Sequence, residues 1–329
     1  MHTINYSLIA LAASIAGIAL IFLIKKFSLK HKLLMHGGIP LVGGVAMCIA
    51  FIFAYLAGFV LYGNLSSRAT GIIIGSLLML VFGIIDDRHE LSVIAKFLMQ
   101  AFAISILILF DVRTHIVYIP DTLNIIITFI WVLGITNAFN HLDVMDGVAG
   151  VAAMIVSPAF FLISVLNGDT TTAVLSLALA GAVLSFLIYN LPPARIYMGN
   201  SGSHFLGFLL AAIAMAISYA SLERGVALLA PLLILGFPVF DTTFLILIRM
   251  SKRKMPFEKS NDHFALRLLA LGYSGKQALL IMTALAIFFT LCGVMVSRVS
   301  NQAGLATVAF VVLVSLALIR KMGKVVIDD

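Results

Sequence analysis

Ile72-Ile73-Ile74-Gly75-Ser76-Leu77-Leu78-Met79-Leu80-Val81-Phe82-Gly83-Ile84-Ile85-Asp86-Asp87 is an apolar run that stops abruptly on two carboxylates. Carried back to Arg68, it approaches the roughly 20 apolar residues that a helix needs to cross a bilayer. Ten further stretches of the same kind flank it, near 6–24, 41–62, 93–110, 123–141, 147–166, 171–190, 203–221, 225–248, 277–296 and 302–319. The whole chain is 62% hydrophobic and 11% charged, against about 45–50% and about 25% for soluble domains. No soluble fold can hide that much apolar surface. The expected fold is all-α, a polytopic integral membrane protein with about ten or eleven transmembrane helices, organised as one domain over 1–329.

The connectors alternate sides, so basic residues can be counted by side. Seventeen of the 21 lysines and arginines fall on one side, leaving Arg68, Arg113, Arg224 and Arg298 on the other. Cytoplasmic loops carry the excess of Lys and Arg, so the N-terminus is expected outside and the C-terminus in the cytoplasm. The expected cytoplasmic loops are 25–40, 86–92, 137–147, 191–204 and 249–276. The net charge of +7 is scattered between apolar runs rather than gathered in a stripe, which argues against a nucleic-acid partner. Lys25 and Lys26 follow the first apolar run instead of preceding it, the wrong order for a cleaved signal, so that run is read as a helix. Cys48 and Cys292 sit in separate apolar runs and form no metal or redox motif.

The polar chemistry collects on the cytoplasmic side. Asp86 and Asp87 are adjacent carboxylates at a bilayer boundary and need a cation, a donor or water; a solvated helix end paired with Arg88 is the plainer alternative. In Asn137-Ala138-Phe139-Asn140-His141-Leu142-Asp143-Val144-Met145-Asp146-Gly147, a helical path would set Asn140, Asp143 and Asp146 one turn apart as a ladder of oxygen ligands. Such ligands suit a hard cation such as Mg²⁺. The competing account is an Asn/Asp-rich turn closed by Asp146-Gly147. Residues 195–204 place glycine-rich backbone ahead of a helix, where free N–H groups attract an anion. The connector 249–276 holds Lys252-Arg253-Lys254, which can face anionic membrane lipids, and then Asn261, Asp262, His263 and Arg267. Arg267 carries a fork suited to a diphosphate. Acidic and basic groups from separate segments are what phosphoryl transfer requires, since it depends on positioning and charge neutralisation.

At these residues the chain resembles the polyprenyl-phosphate N-acetylhexosamine-1-phosphate transferases, of the glycosyltransferase family 4 type. The features recur in order: the Pro40-Leu41-Val42-Gly43-Gly44 turn, Asp86-Asp87, the segment 137–147, Met198-Gly199-Asn200-Ser201-Gly202-Ser203, and a last cytoplasmic loop bearing a histidine. The resemblance implies that Asp86, Asp87 and Asp143 are catalytic. It places Asn137, Asn140, Asp146, Tyr197, His263 and Arg267 on substrate, with Tyr197 stacking on uracil and His263 and Arg267 at the diphosphate. Metal would be held by Asn140, Asn200 and Asp87, with Mg²⁺ as cofactor and Mn²⁺ as the alternative. The implied substrates are a UDP-HexNAc and undecaprenyl or another polyprenyl phosphate, the products UMP and a lipid-linked sugar that starts a cell-surface glycan. A homodimer in the cell inner membrane is the family expectation. Asn200 stands where the family usually has Asp, Val144 where it usually has Gly, and Glu90 where the MurNAc-pentapeptide branch has Lys, which favours a GlcNAc-1-phosphate enzyme. The alternatives are an ion-coupled secondary transporter, whose acids should lie near the bilayer midplane, and a non-catalytic relative.

Overall fold

The computed structural model describes residues 2–63, 66–219, 224–255, 262–325 and 327. Lys259 and Asn261 lie outside the described residues. The chain divides into two compact units, residues 1–218 and 219–329.

In the first unit, α1 (His2–His31) leads through a short antiparallel hairpin, β1 (Met35–His36) and β2 (Ile39–Pro40), into α2 (Gly43–Tyr62). Then follow α3 (Ser67–Arg88), α4 (Val93–Leu109), α5 (Asp121–Leu142), α6 (Val148–Leu166), α7 (Thr170–Asn190) and α8 (Gly199–Ala216). The starts are set by local chemistry. Ser66, Ser92 and Asp169 each accept the backbone N–H three residues on, from Ala69, Ala95 and Thr172, which satisfies a donor that helix geometry leaves open.

Helix α8 is the hub. Every residue from Ser201 to Ala214 is buried, and α2, α3, α5, α6 and α7 all pack on it. Small residues permit the closest crossing: a Cβ on Gly83 would lie 2.3 Å from the Ser201 Cα, so any larger residue would push α3 off the first turn of α8. On the α5 side, the Trp131 indole N–H donates to the Ala211 carbonyl at 3.1 Å.

The second unit contains a 3-10 turn (Gly225–Leu229), α9 (Ala230–Ile234), α10 (Gly236–Ser251), α11 (Phe264–Ala270), α12 (Gly275–Val296) and α13 (Asn301–Met322). Each of the eleven apolar runs overlaps a helix among the described residues, as an all-α membrane protein requires. Among the described residues, eight helices are long and apolar enough to cross a membrane, or nine if a bent pair is one span. Helix α4, at 17 residues, is short for a span, and α8 opens on the polar Asn200, Ser201, Ser203 and His204.

The bent pair corrects the expectation of one straight helix over 225–248. Residues 225–234 and 236–251 meet at 74°. Pro238 lacks an N–H and its ring crowds the carbonyl four residues back, which is that of Ile234. That carbonyl is instead taken up by the Thr290 hydroxyl at 3.0 Å.

Candidate functional site

The two carboxylates that end α3 turn to different neighbours. Asp87 faces the opening of α8: its Oδ1 accepts the Asn200 N–H at 2.7 Å and its Oδ2 the Ser201 N–H at 3.0 Å. The glycine-rich segment does offer N–H groups to an anion, and the anion is a side chain of the same chain. A carboxylate there satisfies open donors and sits favourably in the helix dipole. Gly199 makes the approach feasible, since it has φ +69° and a Cβ there would stand 2.6 Å from Asp87 Oδ2.

Asp86 instead turns towards α4. Its buried carboxylate meets Lys96 Nζ at 2.8 Å and accepts the Leu91 N–H at 2.9 Å. Its ion-pair partner is Lys96 rather than Arg88, and the contact ties the corner between α3 and α4.

The oxygen ladder does not form as a helix. Helix α5 ends at Leu142, Asp143 is its C-cap, and the chain turns through Asp146 to Gly147 at φ +81° before α6 begins. A helix continued past Leu142 could not reverse into α6, and Gly147 supplies the left-handed conformation the reversal needs. Asn140, still helical, donates from Nδ2 to Asn200 Oδ1 at 2.9 Å and to Ser203 Oγ at 3.0 Å. Asp146 Oδ2 accepts the Ala194 N–H at 3.0 Å. Asn137 faces away from this cluster and exchanges amide hydrogen bonds with Gln100 at 2.9 and 3.3 Å.

A cavity of about 300 Å³ opens beside these groups, with Asp143, Asp146, Asn190, Tyr197, Leu41 and His36 among its walls. Asp143 is held well above the usual carboxylate range, first by burial and then by the negative charges of Asp87 and Asp146. A buried carboxylate held up by two neighbouring negative charges is a place where a cation would be welcome. Among the described residues, no three His, Cys, Asp or Glu side chains form a metal cage. The donors that could hold a hard cation are therefore Asp87 and Asp143 with the amide oxygens of Asn140 and Asn200, completed by water and substrate phosphate.

Asn190, Gln100 and Lys96 escaped the sequence reading. Asn190 bridges the turn after α5 to the loop after α7: Oδ1 accepts the Gly147 N–H at 2.9 Å and Nδ2 donates to the Ile196 carbonyl at 2.9 Å. Both Asn190 and Gln100 are polar side chains in otherwise apolar runs, and their cost in such a setting was the signal that could have found them.

His263 and Arg267 belong to the second unit. His263 immediately precedes α11. The Arg267 guanidinium is 1% exposed and bonds Asp262 Oδ1 at 2.8 Å, the Met322 carbonyl at 3.1 Å and the Val325 carbonyl. Lys252 reaches the same Asp262 oxygen at 2.8 Å. Within its own unit, Arg267 is thus engaged by framework groups rather than displayed on a surface.

Residues 69–218 match the family model described as glycosyl transferase family 4. A probable undecaprenyl-phosphate N-acetylglucosaminyl 1-phosphate transferase of Bacillus subtilis is 29% identical over 263 residues, covering 78% of this chain and 72% of the relative. A decaprenyl-phosphate N-acetylglucosaminephosphotransferase of Mycolicibacterium smegmatis is 30% identical over 280 residues, covering 74% and 68%. An undecaprenyl-phosphate alpha-N-acetylglucosaminyl 1-phosphate transferase of Escherichia coli is 24% identical over 275 residues, covering 79% and 73%.

Proposed function

This chain belongs to glycosyl transferase family 4, and from that premise we propose that it transfers GlcNAc-1-phosphate from UDP-GlcNAc to a polyprenyl phosphate in the membrane. The observation that carries the proposal is the junction of Asp87, Asn140 and Asn200 at the opening of α8, beside a cavity walled by Asp143, Asp146 and Tyr197. Acidic ligands, amide oxygens and an aromatic wall meet at one cavity, as a nucleotide diphosphate and its counter-ion require.

In the proposed reaction an oxygen of the lipid phosphate bonds to the β-phosphorus, the bond from that phosphorus to the oxygen bridging the α-phosphate breaks, and UMP leaves with that oxygen. A phosphate monoester has a second pKa of about 6 and is largely dianionic near neutrality, so no side chain has to remove a proton first. Mg²⁺, held by Asp87, Asp143, Asn140 and Asn200, would neutralise phosphate charge. Asp87 fixes the Gly199–Ser201 backbone, Asn140 holds Asn200 in place, and Asp146 with Asn190 secures the loop that presents Tyr197. Asp86, paired with Lys96, acts as a positioning residue. The seventeen-to-four division of basic residues supports a cytoplasmic active site in the cell inner membrane with the N-terminus outside.

The test is UMP release by the purified protein with undecaprenyl phosphate, UDP-GlcNAc and Mg²⁺, omitting each in turn. Release that needs all three is expected. Release that is indifferent to the lipid, or none with several UDP-sugars, would overturn the proposal.

A further inference from the structure

The cavity beside Asp143 and Asp146 has a second aromatic wall that none of the motifs discussed above contains. His36 lines it, and its ring lies 6.4 Å from that of Tyr197 at an interplanar angle of 64°. We propose that His36 contacts the nucleotide, its ring and that of Tyr197 forming an edge-to-face corner that the nucleobase rests against; this rests on the transferase reading above.

The two rings come from positions 161 residues apart, yet the backbone makes them one body. His36 ends β1, and Gly37 and Gly38, both at positive φ, turn the chain into β2. A two-residue turn of that hand suits a tight hairpin. The hairpin is then stitched to the loop that carries Tyr197. The Tyr197 N–H donates to the Pro40 carbonyl at 2.9 Å, and the Gly43 N–H returns a bond to the Tyr197 carbonyl at 3.0 Å. The Leu41 N–H closes the hairpin base on the Leu34 carbonyl at 2.7 Å. Two rings joined in this way keep their mutual position, so the corner they form is preorganised for a ligand.

The chemistry of the cavity is also divided. Asp143 and Asp146 occupy one part, suited to a counter-ion and the groups it neutralises. The two rings occupy another, where His36 is the lining side chain able to bear positive charge. Its imidazole offers a face for stacking and a ring nitrogen that can donate to, or accept from, the edge of uracil. The side chain is exposed, so it contributes little to the packing of the fold. An exposed ring in the wall of a cavity, set edge-on to an aromatic partner, is placed to touch what enters.

The experiment compares His36→Ala, His36→Phe and the unchanged full chain in detergent. Two readings are taken: Kd for UMP, measured without lipid, and steady-state UMP release. His36→Ala should raise the Kd for UMP and the KM for UDP-GlcNAc about tenfold. Its kcat should stay within about twofold of the unchanged chain, as loss of uniform binding requires, and its KM for polyprenyl phosphate and its Tm should not move. His36→Phe should recover most of the loss, which a merely structural role would not give. An unaltered UMP Kd, a change confined to kcat, or a change confined to the lipid KM would overturn the assignment of His36 alone. If the unchanged chain fails to transfer, the transferase reading falls, and the UMP Kd still decides whether His36 meets a nucleotide.

Discussion

Asn200 donates its backbone N–H to Asp87 Oδ1 at 2.7 Å, so the last turn of α3 is joined directly to the first turn of α8. The side chain of Asn200 is engaged separately, accepting from Asn140 Nδ2 at 2.9 Å. A position where most members of the resembled family carry a charge is here neutral, and its neighbour is a carboxylate.

Asn200→Asp adds a second negative charge beside Asp87 while leaving an oxygen to accept from Asn140. Like charges at short range repel unless a cation lies between them. The variant is expected to lose thermal stability in EDTA and regain it in Mg²⁺. It should need about tenfold less Mg²⁺ for half-maximal UMP release, about 1.4 kcal/mol. An unchanged Mg²⁺ requirement together with an unchanged Tm in EDTA would remove position 200 from the surroundings of the cation.

Asp143 sets a pH dependence of stability. Its folded pKa is raised by burial and by Asp87 and Asp146, whereas the unfolded carboxyl titrates near about 4. Between those values the folded chain binds more protons than the unfolded one, so stability falls as pH rises through that window and the loss is complete above the folded value. Asp143→Asn should flatten this slope, raise Tm at neutral pH without added metal, and abolish turnover. Thermal unfolding from acid to neutral pH, with and without Mg²⁺, checks it; a profile for the Asp143→Asn variant parallel to that of the parent would sink the idea.

Lys96 neutralises a carboxylate whose side chain is 2% exposed. Lys96→Met would strand that charge, at a cost near the low end for a broken buried pair, about 3 kcal/mol, because the lysine itself is 31% exposed and partly screened. Adding Asp86→Asn should restore part of the loss. Denaturant unfolding of the singles and the double reads the coupling, and simple additivity would show that the pair does not act as a unit.

Thr290 answers the carbonyl that Pro238 leaves open in the bent helix pair. Thr290→Val keeps the shape and removes the donor, so a loss of about 1–2 kcal/mol is expected. Combined with Pro238→Ala the loss should shrink, as a restored helical N–H can serve the same oxygen; an equal loss in both backgrounds would refute that account.

The placement of the helices was legible because hydropathy over about 20 residues reports burial in lipid or protein directly, whereas their number as spans was not, since α4 is short and α8 opens on polar residues. The break at Leu235 was not, because Gly236 and Pro238 barely lower the hydropathy of their run, although Pro238 removes an N–H. Asp86 and Asp87 read as one feature, yet neighbours on a helix point about 100° apart, so one meets α4 and the other α8. For Asn140, Asp143 and Asp146 the spacing of three fitted a helix, and Gly147 alone signalled the turn that replaced it. Gln100 and Asn190 stood out locally only as polar side chains in apolar runs; what they bond, Asn137 and Gly147, lies 37 and 43 residues away, which no local pattern records.

Arg267 grips the carbonyls of Met322 and Val325 while its other nitrogens hold Asp262. During synthesis, the connector that precedes α11 therefore emerges long before the residues that lock it. The second unit can insert helix by helix, but Arg267 gains these two carbonyl partners only once residues 322–325 have been made, so the end of α13 completes a contact that α11 presents long before it.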